Sequence, residues 1–344
     1  MKRSLLPLLA SLALGFIGLY LIDGPGAFQA RSYHLPSVGA PLALAIAAAS
    51  VAYWIVPALR LQLLGTVHGH ALPLTTGLLI HLAGLLSAAI TPGGSGSAPA
   101  IAAGLRRAGL PLGAAVGMAV QVTVLDLAFF AWALPISLAY LLLSGATALS
   151  IDLIALALAS MVVALAAAIV LGRYPRPVVR LVLWLARRPM LNRFRQRLTA
   201  AARGYYRSSR HFVTMRTSTW ICLQALGALA WLGMFVLFWA LVRAFQPLEV
   251  LATIATLTIA TLVAFIVPTP GGSGFIEVAV GYGIGAQANR ADLATPLLLW
   301  RIGTFYLVFL FGPLASWLLF AGGRGRRPSG TPAEPNRREA RDDR

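Results

Sequence analysis

The sequence predicts an all-α polytopic membrane protein: an inverted repeat with about six transmembrane helices plus two re-entrant helical hairpins. Three observations predict it. Of the 344 residues, 58% are hydrophobic and 11% charged, and several apolar runs reach the roughly 20 residues that cross a hydrocarbon core of about 30 Å. The arginines fall in clusters that alternate along the chain with weakly charged polar segments, which assigns sides by the positive-inside rule. The hexapeptide TPGGSG occurs twice, at Thr91 to Gly96 and Thr269 to Gly274, 178 residues apart.

Taken in order, Leu5 to Ile22 follows a short basic start and shows no A-x-A-like cleavage site, so it reads as the first membrane helix and not as a secretory signal. Lys2, Arg3, Arg60, Arg106, Arg107, the Arg173 to Arg216 block and Arg324 to Arg327 mark the cytoplasmic side. Asp23 to His34, Gly145 to Ser150, Arg243 to Glu249 and Gln287 to Asp292 face outward. Val38 to Leu59 returns the chain to Arg60. Between Arg60 and Arg107 the chain starts and ends on one side, which predicts a hairpin with limbs Ala71 to Ile90 and Ser97 to Leu105 and TPGGSG at its bend. The ten residues from Gly96 to Arg106 rise only about 15 Å as helix, half the membrane core.

Leu112 to Leu142 then crosses outward and Ile151 to Leu171 inward. Twelve of 27 arginines lie between Arg173 and Arg216, with no acid between Asp152 and Glu249, so 173–216 reads as a basic cytoplasmic loop. Within it Phe194, Leu198, Ala201 and Tyr205 recur at helical spacing among Arg193, Arg197, Arg203, Arg207 and Arg210. That describes either a basic amphipathic helix on an anionic leaflet or a plain solvated loop that sets topology. Thr219 to Val242 crosses outward. The second hairpin, Val250 to Ile266 and Phe275 to Gly285, enters from the opposite face and returns to Arg290, and Thr295 to Phe320 brings the chain back in. The domain reading is a membrane domain over 1–321, with repeat one about 60–172 and repeat two about 219–321, then a disordered cytoplasmic tail over 322–344. The expected location is the bacterial cytoplasmic (inner) membrane, with both termini cytoplasmic.

The formal charge of +18 and pI of about 11.5 are accounted for by the arginines that set topology, and nucleic acid is not a predicted partner. The single Cys222 excludes an internal disulfide. His68, His70 and His81 have no carboxylate near them in sequence, so no metal is predicted. Ser95 and Ser273 follow Gly-Gly without the GxSxG elbow pattern, and there is no GxxxxGK[ST] loop. The reading is therefore a non-enzyme without cofactor, whose partners are membrane lipids, with anionic headgroups in the site and an anionic leaflet at the basic loop.

Broken helices at membrane depth free backbone groups that lipid cannot satisfy, so they persist only where protein or a water-filled cavity surrounds them. Paired interruptions in an inverted repeat point to a substrate site at the repeat interface near the midplane. Pro92, Gly93, Gly94 and Gly96, with Pro270, Gly271, Gly272 and Gly274, are the candidate bend residues, each bend aiming a helix N-terminus suited to an anion. Asp126, Glu277 and Arg301 are the charges expected within the hydrocarbon, each costly enough to be a functional candidate. On the 178-residue offset, Arg301 matches Thr123, Asp126 matches Thr304 and Glu277 matches Pro99. Asp126 and Arg301 are thus placed to face each other. Arg301 is assigned to hold an anionic headgroup, and Glu277 or Asp126 to neutralise it when the site is empty. A permanent ion pair that only fixes packing is the competing account.

These residues resemble the flippase-like transmembrane domain of the lysylphosphatidylglycerol synthase family. The resemblance is carried by ITPGGSG at Ile90 to Gly96, the pair Arg106 and Arg107, and LDL at Leu125 to Leu127. It continues with PTPGGSGFIE at Pro268 to Glu277 and LLLWRIGTFY at Leu297 to Tyr306, and covers most of the chain to about Phe320. It implies a membrane domain that moves lipid between leaflets, here as a stand-alone member without the aminoacyl-transferase domain. The chain departs from the family pattern at Pro99, where an acid is common, and at Val122 and Thr123, where Glu-Arg is common. A small-solute or ion transporter, and a membrane enzyme acting on a lipid-linked substrate, remain open alternatives.

Overall fold

A computed structural model describes residues 39–145, 151–172, 174–188, 195–285 and 292–321, with Ala13, Leu14, Ile17 and Tyr20 before them. The described residues form helices and no strand. In chain order these are α1 (Ala40–Val67), α2 (Leu74–Ala89), α3 (Ser97–Arg107), α4 (Leu112–Ser144), α5 (Ile151–Gly172), α6 (Pro175–Leu185), α7 (Arg195–Val213), α8 (Thr217–Arg243), α9 (Val250–Ala264), α10 (Phe275–Ile284) and α11 (Ala294–Ala321). Among them α1, α4, α8 and α11 are each long and apolar enough to cross a membrane. The expected first crossing, Leu5 to Ile22, apart from those four residues, and the tail from 322 lie outside the described residues, as do most of the expected outer loops at 23–34, 146–150 and 286–291.

Helix starts follow local chemistry. Pro73 and Pro111 stand immediately before α2 and α4 in extended conformation, where a missing N–H costs nothing. Glu249 caps α9 by accepting from the amides of Leu251 at 3.0 Å and Ala252 at 2.6 Å. α4 is the central element, touching α3, α5, α7 and α9, while α1 runs along α8 and α2 along the second half of α11. Two apolar cores result. One gathers Phe129, Phe130, Phe235, Phe238 and Trp300, and the other Leu64, Ile80, Leu105, Met118 and Leu125.

Two expectations are corrected. α1 does not end at Arg60 but continues to Val67, and Arg60 is buried at 4% exposure, so it is an internal charge and no marker of the cytoplasmic surface. The basic segment is not a plain loop, because it forms α6 and α7. The amphipathic helix expected there exists as α7; on the apolar face read from the sequence Tyr205 is buried and Leu198 and Ala201 are half-buried, Ala202, Ser208, Ser209 and Phe212 are buried beside them, and Arg203, Arg207 and Arg210 are exposed. Phe194 and Arg193 lie outside the described residues.

α7 meets α4 at a crossing of small residues. Gly113 and Gly117 on α4 meet Gly204 and Ser208 on α7, so closely that a Cβ on Gly113 would overlap the Gly204 backbone, the small-xxx-small approach that lets two helix backbones touch. A polar latch flanks it. In its Nε2–H tautomer His68, at the end of α1, donates to Gln121 Oε1 at 2.7 Å, and Gln121 Nε2 donates to Ser208 O at 3.1 Å and Ser208 Oγ at 3.0 Å. His211 donates from its ring to Val67 O at 2.7 Å.

Burial holds the His68 imidazole below its usual range, with His211 and His70 adding to the effect and the Gln121 bond opposing it. A histidine with a depressed folded pKa stabilises above its unfolded pKa of about 6.5 and loses that contribution as pH falls toward the folded value. Hydrogen exchange of α7 amides is therefore expected to accelerate as pH is lowered from about 7.5 to 5.5, after correction for intrinsic rates. His68→Gln should flatten that response.

Candidate functional site between the two glycine bends

The two copies of TPGGSG fold alike at their centres. Gly93 and Gly94 have φ of +57° and +69°, and Gly271 and Gly272 have +58° and +70°, values that residues with a Cβ rarely adopt. The bends also meet: Pro92 and Pro270 form an isolated antiparallel bridge. A Cβ on Gly93 would stand 2.5 Å from Phe265 O at the end of α9, and one on Gly271 would stand 3.2 Å from Ala89 Cα at the end of α2. Each bend is thus seated against the end of the other hairpin's first limb, which surrounds both helix breaks with protein.

The copies part at the sixth residue. Gly274 has φ +81° and donates its N–H to Glu277 Oε2 at 2.8 Å. Gly96 has φ −74°, Pro99 occupies the place that matches Glu277, and the Gly96 N–H goes to Thr91 Oγ1 at 2.8 Å instead. Thr269, the counterpart of Thr91, keeps a buried hydroxyl with no hydrogen-bond partner. The departure at Pro99 is therefore compensated by a threonine already present in the repeated motif.

Arg301 and Glu277 form a buried pair, with Nε 2.7 Å from Oε1 and side-chain exposures of 4% and 1%. The Nε–H is not aimed at the carboxylate, so the contact is ionic, and both Nε and Nη2 of Arg301 lack a hydrogen-bond acceptor. The guanidinium carbon lies 5.3 Å from the Trp300 ring centre and 5.1 Å from that of Phe305, a setting that favours a cation. Immediately after Arg301 the helix widens into a π turn over Ile302–Tyr306. Such turns recur at functional positions. Tyr53 on α1 donates its hydroxyl to Thr304 O at 2.9 Å within the turn.

Asp126 does not face Arg301, contrary to the expectation from the offset. It pairs with Arg60 at 2.6 Å and accepts from Trp231 Nε1 at 3.2 Å, while Arg60 Nη2 donates to Val122 O at 3.0 Å. Each half-site thus has its own ion pair, and the acids differ in access, since the Asp126 side chain is 28% exposed and Glu277 only 1%.

Asp126 opens on a cavity of about 520 Å³ lined by α1, α2, α4, α8 and the first bend, including Gly93, Gly94, Arg60, His81 and Trp231. A smaller cavity of about 140 Å³ reaches Arg301, Gly271 and Gly272, and the two share Tyr53, Leu85, Ala88, Trp231 and Phe265 as walls. Pro92, Gly96, Pro270 and Gly274 shape the bends without lining either cavity. Sequence reasoning missed Arg60, His81 and Trp231; a charge followed by seven more helix-compatible residues, Leu61 to Val67, was the available signal for Arg60. Among the described residues no group of three or more His, Cys, Asp or Glu stands together as a metal site.

A family model described as "Lysylphosphatidylglycerol synthase TM region" matches residues 6–312 of the chain. No curated protein matches it.

The ion pair makes a prediction separable from transport. Glu277→Gln preserves an acceptor for the Gly274 amide but leaves Arg301 buried without its counter-charge, and should cost about 3–5 kcal/mol. Arg301→Gln should destabilise on the same scale, and the double variant should recover most of the loss, measured as thermal unfolding in detergent. Additive losses in the double variant would show that the pair is not coupled.

Proposed function

The chain belongs to the lysylphosphatidylglycerol synthase transmembrane-region family, whose membership indicates a multi-pass membrane protein of lipid handling, and on that premise we propose that it is a lipid translocator. It moves an anionic or modified lipid headgroup between leaflets through a site formed by the two PGG bends. In this reading the two hairpins are re-entrant halves of an inverted repeat, the membrane is the bacterial cytoplasmic one, and both termini are cytoplasmic.

One observation carries the reading: a buried arginine, Arg301, with an unpartnered Nη2, lies on a cavity that shares its walls with a much larger apolar one. A headgroup phosphate accepts from Nη2 without displacing Glu277, whose other oxygen is held by Gly274. With the site empty, Glu277 keeps the guanidinium neutralised, which lowers the cost of a charge at depth. The apolar cavity and the lipid around it accommodate acyl chains. At the cytoplasmic face, α6 exposes Leu181, Trp184 and Leu185 beside Arg187 and Arg188, with Arg188 stacked 4.1 Å over Trp184. This supports an in-plane contact of α6 with an anionic leaflet. Nothing in this scheme requires bond chemistry, and the protein is read as a transporter and not an enzyme.

The test is a proteoliposome assay with headgroup-labelled fluorescent phosphatidylglycerol, following the fraction protected from a membrane-impermeant quencher. Wild-type protein should exchange the label between leaflets at least about tenfold faster than empty vesicles, and Glu277→Gln/Arg301→Gln, kept folded by removal of both charges, should return the rate toward that of empty vesicles. Wild-type protein that moves no label above empty vesicles sinks the proposal.

A further inference from the structure

Within the same lipid-translocation reading, we infer that the first bend carries a second, separate oxyanion station, built from Arg60, His81 and the N-terminus of α3, and that Pro99 is what leaves it open.

Both Nη atoms of Arg60 are engaged, by Asp126 and by Val122 O, but its buried Nε has no acceptor. His81 Nε2 is likewise buried without a partner. Both side chains line the 520 Å³ cavity, and so do Gly94, Ser95 and Ser97, where α3 begins. α3 has 11 residues, no acid in its first turn and no side-chain cap; Gly94 O takes the Ser97 N–H and Pro99 has none, so this end offers the Ala98 N–H and partial positive charge to the same space. Two orphan side-chain groups and a helix N-terminus border one cavity. The chemistry that satisfies all three is an oxyanion such as a phosphate ester, which accepts from Arg60 Nε, from His81 in its Nε2–H tautomer and from the helix end.

The repeated motifs differ in a way that leaves the N-terminus of α3 without a carboxylate of its own. In the second copy Glu277 folds back on the Gly274 amide and occupies the N-terminus of α10. In the first copy the corresponding position is Pro99, which has no acceptor to offer, and Thr91 takes the Gly96 amide from the other side. One bend neutralises itself; the other leaves its anion-binding end unoccupied.

The stations lie along one path. Tyr53, hydrogen-bonded beside Arg301, and Arg60 are seven positions apart on α1, a rise of about 10 Å. A phosphate leaving one station meets the other across a wall shared by the two cavities, so a headgroup crosses in two held steps.

The experiment uses phosphatidylglycerol with a photoreactive headgroup, reconstituted with the full chain and mapped by peptide mass spectrometry. Wild-type protein should be labelled on α2 or α3 near His81 and on α11 near Arg301. His81→Ala should reduce the α2 and α3 label about fivefold, and Pro99→Glu, which places an acid in the first turn of α3 as Glu277 stands in α10, should do the same; both should keep the α11 label. An α2 and α3 label that survives both variants, or that is absent from wild type while α11 is labelled, overturns the second station and leaves the site at Arg301 intact. No label at either place overturns the translocation reading as well. Competition separates the sources of phosphate: unlabelled phosphatidylglycerol should suppress the His81 label and inorganic phosphate should not. Equal suppression by inorganic phosphate would assign the station to a free anion and remove it from a lipid path.

Discussion

A helix that breaks inside a membrane protein must find partners for the backbone groups it frees, because hydrocarbon offers none. Here two breaks solve the problem for each other. Pro92 bridges Pro270, Gly93 sits under the end of α9 and Gly271 under the end of α2, so neither bend can be removed without exposing the other. The four glycines with φ near +60° to +70° are needed twice over, for the turn and for the approach. The site's geometry follows from this contact: both cavities border Gly93 and Gly94, and a short return helix starts from each bend.

Charge is then distributed unevenly over a nearly repeated backbone. The second bend is electrically closed, with Glu277 serving both the Gly274 amide and Arg301 at almost no exposure. The first bend is electrically open, since its own ion pair, Arg60 and Asp126, is contributed by α1 and α4 and not by the hairpin. A symmetric backbone therefore carries an asymmetric pair of sites.

Much of this was legible in the sequence. The limits of both hairpins were read to within about three residues, because proline, paired glycine and the arginine clusters act locally. Arg301 and Glu277 were legible because a charge in an apolar run is costly wherever it packs. Which acid pairs with Arg301 stayed open between Glu277 and Asp126, since it depends on α10 and α11 being brought together in space. Arg60 failed for the opposite reason: a single arginine at the end of an apolar run of surface-spanning length has the same pattern whether the helix stops there or continues, and only the position of Asp126 on α4 decides it. In the basic segment periodicity reports that Ala201 and Tyr205 share a face, and is silent on the crossing of Gly204 and Ser208 with Gly113 and Gly117 beside it.

α4 ties these results together. Gln121, which holds α7 through Ser208, and Asp126, which faces the cavity, are five positions apart on that helix, a rise of only about 7.5 Å. Helices transmit displacement along their axis where their backbone bonds are intact, and the stretch of α4 from Gly113 to Asp126 lies ahead of Pro135, the one proline inside that helix. The docking of the basic helix α7 and the wall of the cavity are consequently set by one element. A movement of α7 that shifts the Gly113–Gly204 crossing therefore acts on the same helix that carries the carboxylate holding Arg60.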